Sequence, residues 1–143
     1  MPLLNYTTKI STDKTVGEIQ KMLARAGARA ILSEYDNDGS ISSVSFKMLV
    51  NDSEIGFRLP IKPSRVLAVL RTQRGVEPRY KTEEHARRVA WRIVKDWVEA
   101  QLAIIETKMV KADQVFLPYA ITPNGETLYE TIMNGKLLNE GEK

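Results

Sequence analysis

A chain of 143 residues, 43% hydrophobic and 27% charged, is the size and make-up of one globular domain able to bury most of its apolar surface. It contains no cysteine, which excludes disulfides, thiolate metal sites and a cysteine nucleophile, and no apolar run of membrane-spanning length. The formal charge of +3 conceals a polarity: Arg58 to Lys95 holds eleven basic residues against Glu77, Glu83 and Glu84, a surplus of eight that leaves the rest of the chain at −5.

At the N-terminus, MPLLNYTTKIS lacks the basic start and long apolar stretch of a signal peptide, so a cytoplasmic protein is expected. Leu4, Tyr6, Thr8 and Ile10 alternate as in a short strand. Thr15-Val-Gly-Glu18 matches a capping box opening a first helix, with Val16, Ile19, Leu23 and Ala26 inward and Gly27 ending it. Arg29 to Tyr35 reads as a strand entering the turn Asp36 to Ser40. The clearest strand follows, with Val44, Phe46, Met48 and Val50 on one side. It is joined through Asn51-Asp52-Ser53 to another with Ile55, Phe57, Leu59 and Ile61 inward, making a hairpin.

Pro63 and Ser64 open a second helix carrying Val66, Leu67, Val69 and Leu70. It runs into an aperiodic, basic connector, residues 71–81, expected to be the mobile loop of the domain. Thr82 then caps a helix reaching roughly to Lys108, with Glu83 and Glu84 in its first turn. Val89, Ile93, Trp97, Ala100 and Ile104 share one face, and Arg88, Arg92 and Lys95 form a stripe opposite, flanked by Trp91 and Leu102. Beyond it, residues 111–117 suit one or two helical turns, 122–125 a turn, 127–133 a short element, and 136–143 a loose tail.

The order predicts an α+β fold: a single domain over 1–135 with an antiparallel sheet of about four strands (strand, helix, three strands) covered by helices, one of them long and C-terminal. So long a helix in so small a domain predicts an overhang, with self-association through Trp97, Leu102 and Ile105.

Little in this pattern asks for catalysis. The single histidine, His85, sits in a first helical turn beside two glutamates and is expected to be solvated, with no nucleophile paired to it. Asp36-Asn37-Asp38-Gly39 resembles part of a calcium loop, but that register puts Glu34 first and Ser45 at the closing glutamate, so a hairpin turn is expected. A nuclease with an acid and a Glu-x-Lys pair sets them on strands, whereas Asp96, Glu106 and Lys108 fall on one helix. The glycines form no phosphate-cradling loop. No cofactor and no metal are expected, and the chain is read as no enzyme.

Binding fits better. Arg71, Arg74, Arg79 and Lys81 lead into Arg88, Arg92 and Lys95, five arginines to two lysines, suited to bidentate phosphate contact. Tyr80 and Trp91 lie among them, as base stacking would require. The competing readings are a solvated face neutralised by Glu84 and Glu99, an edge-of-core Trp91, or a protein interface rich in Arg and Trp. The polyanion reading requires the positive charge from Arg71 to Lys95 to converge on one patch.

Ala86 to Ala103, with Val115-Phe-Leu-Pro-Tyr-Ala120 and Gly125 to Glu130, resembles a family of small phage- and prophage-encoded proteins not tied to one agreed activity. The resemblance covers residues 82–130. It implies a replication or recombination accessory, or an inhibitor of host defence that acts by binding, in the cytoplasm of the host cell. The expected partner is nucleic acid or a nucleic-acid-binding host protein. The alternative is an anti-defence inhibitor that binds a host effector protein or sequesters a nucleotide signal in a pocket beneath the long helix.

Overall fold

The computed structural model describes residues 2–135, so the tail expected at 136–143 lies outside the described residues. The fold is α+β, in the chain order α1 (Thr12–Arg25), β1 (Ala30–Tyr35), β2 (Ile41–Val50), β3 (Ser53–Arg58), α2 (Pro63–Thr72), α3 (Glu83–Glu106), α4 (Ala112–Phe116) and α5 (Leu128–Met133). Two compact units share the chain. One comprises the residues up to Met22 with Pro60–Gln101, the other Leu23–Leu59 with the residues from Leu102 on. Among the described residues no helix is long and apolar enough to cross a membrane.

Among the described residues three strands, not four, make the sheet. The segment Leu4 to Ile10 turns twice instead of extending: the Tyr6 amide donates to the Leu3 carbonyl at 3.1 Å and the Thr8 amide to the Asn5 carbonyl at 3.0 Å. Asn5 sits at φ +64°, a conformation asparagine tolerates and a strand does not. The alternation of Leu4 and Tyr6 therefore marks no pleated face, and Leu4 is exposed. The first helix likewise starts earlier than the Thr15 capping pattern suggests. The Ser11 hydroxyl accepts the Lys14 amide at 3.2 Å, which makes Ser11 the N-cap and carries Thr15 into the helix, fully buried.

In the second unit β2 is the middle strand, antiparallel to both neighbours. Asn51 and Asp52 both take positive φ, +50° and +67°, the backbone of a tight two-residue hairpin turn between β2 and β3. Val44, Phe46 and Met48 face the core as their alternation predicts, joined by Phe57 of β3. Phe116 of α4 closes over them, its ring 5.3 Å from Phe46 and 5.9 Å from Phe57, while Phe46 and Phe57 stack at 5.4 Å. The far edge of β3 is met by a single bridge from Ala120 to Phe57 and not by a further strand. Thr127 caps α5 through a reciprocal bond pair with Glu130.

In the first unit, Leu67 and Leu70 of α2, Val76 of the connector and Ala86 of α3 form one buried cluster, with Leu3, Tyr6, Val66 and Tyr80 packed against it. The connector expected to be mobile is held at several points. Val76 is buried, Pro78–Tyr80 forms a 3-10 turn, and the Gln73 side-chain oxygen accepts the Leu3 amide at 2.8 Å.

The long helix α3 is central in the chain, not C-terminal, since α4 and α5 follow it. Its 24 residues start behind Thr82, whose hydroxyl accepts the His85 amide at 3.2 Å. The chain leaves it through Lys108 at φ +64°. Its buried residues are His85, Ala86, Val89, Ala90, Trp91, Val94 and Val98. At 100° per residue they sweep about 240° of the circumference, wider than the half-and-half division its sequence suggests. Trp91, placed on a flank by that division, is fully buried, and Ala100, placed inward, is exposed. Trp97, Leu102 and Ile105, expected to drive self-association, are half-buried.

Candidate anion-binding site

The narrow arc of α3 left to solvent carries Arg88, Arg92 and Lys95, as the spacing predicts, but their charges are already engaged. The Arg92 guanidinium lies 2.5 Å from a Glu18 carboxylate oxygen of α1 and donates to the buried Thr15 hydroxyl at 3.4 Å. Only 13% of its side chain is exposed. Lys95, 16% exposed, stands 3.2 Å from Glu99 and 3.8 Å from Asp96. Arg88 bonds Glu84 at 2.9 Å. Three cations meeting four carboxylates leave no positive ridge along this stripe. Trp91 offers no ring face to a base. Its indole nitrogen is buried and, among the described residues, has no hydrogen-bond partner. The expected single patch from Arg71 to Lys95 therefore does not form: Trp91 is core, and Arg92 and Lys95 serve internal ion pairs.

The connector behaves otherwise. Arg71, Arg74 and Arg79 are exposed and Lys81 is half-exposed. Among the described residues Arg71, Arg74 and Lys81 make no ion pair, and Arg79 pairs with Glu77 at 3.0 Å while its guanidinium rests 4.7 Å above the Tyr80 ring. Tyr80 is fixed in turn by Tyr6, edge-on at 5.7 Å, and by His85 at 5.0 Å.

Arg79, Tyr80 and His85 border an open pocket of about 240 Å³ at the start of α3. Thr7, Thr8 and Lys9 form one wall, Arg79 and Tyr80 a second, His85 and Arg88 the third. None of these residues is acidic. His85 is not the solvated histidine its position suggests, since it is buried. Arg88 can only donate, so His85 Nδ1, 3.3 Å from the guanidinium, is the acceptor; Nε2 then carries the proton and donates to the Tyr6 carbonyl. The ring ties the N-terminal turn to α3 and holds Arg88 at the pocket. Lys9, the lining cation with no ion pair among the described residues, was not singled out from sequence. It lies 70 residues before Arg79, and only the double turn after Leu3 brings it there.

Among the described residues no group of three or more His, Asp or Glu could hold a metal ion. The arrangement offers hydroxyl, ammonium and guanidinium donors with one aromatic wall, which is chemistry for holding an anion. No protein-family model, curated protein or solved structure matches the chain.

Proposed function

We propose that this is a non-enzymatic, phage-type binding protein that engages a phosphate-rich partner, nucleic acid in the first instance. The contact runs over the connector and the pocket it borders, not along the α3 stripe. One observation carries the reading: Lys9, Arg71, Arg74 and Lys81 make no ion pair among the described residues, and the connector also supplies Arg79 and Tyr80 to a pocket without a carboxylate in its lining. Cations left unpaired at a surface are those that can displace the counterions of a polyanion. Arg71, Arg74 and Lys81 hold the backbone in this reading, and the pocket residues take phosphate at closer range.

The test is a titration of a fluorescent oligonucleotide, duplex and single-stranded, across a salt series. Changing Arg71, Arg74 and Lys81 together to Gln is expected to flatten the log–log salt dependence by about 0.9 per lost contact on duplex and about 0.7 on a single strand. An unchanged slope, or no salt-dependent binding of either form, overturns the proposal.

A further inference from the structure

We infer that the pocket at the start of α3 is a receptor for a phosphomonoester, the phosphorylated end of a strand or a free mononucleotide, and not a groove for the middle of a chain. The inference rests on the polyanion reading above and names what the pocket takes. At about 240 Å³ the pocket falls below the volumes usual for drug-sized ligands, so it admits a phosphoryl group with little more than its sugar. A threaded strand would touch several successive phosphates, whereas the lining here is seven residues from three short segments, the N-terminal turn, the connector and α3.

A phosphomonoester carries about −1.5 to −2 charges near neutrality, against a single charge on an internal phosphodiester, and presents three acceptor oxygens. The lining matches that demand. Lys9 brings an ammonium without a carboxylate partner among the described residues, and Thr7 and Thr8 bring hydroxyls. Arg79 and Arg88 bring planar donors whose other edges are already held by Glu77 and Glu84. Those carboxylates orient the two guanidinium groups, and a dianion gains more than a monoanion from the same donors because the attraction scales with its charge. His85 adds to the orientation, since its Nδ1 accepts from Arg88 while its other nitrogen is tied to Tyr6. Tyr80, clamped by Tyr6 and His85, gives a rigid apolar wall for the sugar.

The experiment compares one short 3′-labelled oligonucleotide with and without a 5′-phosphate, using the full chain, and adenosine monophosphate with adenosine by calorimetry. The phosphorylated strand is expected to bind about tenfold tighter, the worth of one to two charge-assisted hydrogen bonds. Lys9→Gln and Arg79→Gln, both at exposed positions, should shrink that preference to less than about twofold, weakening the phosphorylated strand more than the 5′-hydroxyl strand. Competition by adenosine monophosphate but not adenosine supports the same site and identifies the free nucleotide as a source. Equal binding of the two strands, with the salt dependence intact, overturns the pocket and leaves the polyanion reading standing. Phosphate-dependent binding of adenosine monophosphate with no strand binding keeps the pocket and removes the polyanion reading. A phosphate preference untouched by both variants overturns the assignment to these residues.

Discussion

The cations of the α3 stripe and those of the connector and its pocket are of the same residue types and lie within one unit of the chain, yet they serve opposite ends. On α3, Arg92 and Lys95 are almost covered and face Glu18, Asp96 and Glu99. On the connector, Arg71, Arg74 and Lys81 face solvent without a carboxylate among the described residues. A helix buried over two thirds of its circumference has room outside for one narrow row, and a row beside a packed neighbour meets that neighbour's charges. A connector pinned by Val76 and Tyr80 buries its apolar side chains and turns its arginines outward. Availability of charge is thus set by what lies opposite it, and counting basic residues does not reveal it.

That contrast can be broken most sharply at Trp91. If α3 is core on that side, Trp91→Ala destabilises the protein by about 3–5 kcal/mol in denaturant titration, as large-to-small changes at buried aromatics do. Trp91→Phe is expected to cost much less, because it keeps an aromatic ring and removes a buried N–H that has no acceptor. A Trp91→Ala protein of unchanged stability with weakened oligonucleotide binding would reverse the assignment of this residue.

The next effect in size is at Arg92. Removing it leaves the Glu18 carboxylate and the Thr15 hydroxyl without their shared partner, for an expected loss of about 1–2 kcal/mol, less than a fully buried pair because Glu18 is 37% exposed. A double-mutant cycle of Arg92→Gln with Glu18→Gln should return a coupling of about 1 kcal/mol. Additive losses would show that the pair is no more than proximity.

Ser11→Ala tests the corrected start of α1. Loss of the N-cap should cost about 1 kcal/mol, whereas the same change at a residue four positions on would act through burial and not through a cap. The smallest effect is expected at Lys95→Gln, within about 0.5 kcal/mol of the parent and with no change in the salt slope of oligonucleotide binding. A slope reduced by Lys95→Gln would return the α3 stripe to the binding surface.

Much of the local structure was legible from residues alone, because it is decided within a few positions of itself. Alternation placed Val44, Phe46, Met48 and Phe57 inward, Asn51-Asp52 specified the hairpin, Gly27 and Gly39 adopted the positive φ their contexts require, and Thr82 capped α3. The row Arg88, Arg92, Lys95 followed from helical spacing and does form one row. Leu4 to Ile10 misled because alternation over a few residues is equally compatible with two consecutive turns, and only the lack of a neighbouring strand separates them.

What tertiary structure alone decided is which surface remains open. Glu18 reaches Arg92 across 74 positions, Asn5 reaches Asp96 across 91, and Tyr6 accepts from His85 across 79. No periodicity within α3 could announce these partners, and Glu18 takes Arg92 out of the basic row, whereas Glu84 and Glu99 meet Arg88 and Lys95 at the i, i+4 spacing already visible in the sequence. The same long-range closure carries Lys9 to Arg79 and Arg88 and so makes a pocket from residues that share no motif. Local rules act through dihedrals and spacing along the chain, whereas pairing of charge depends on distances through space, which exist only once the chain has packed.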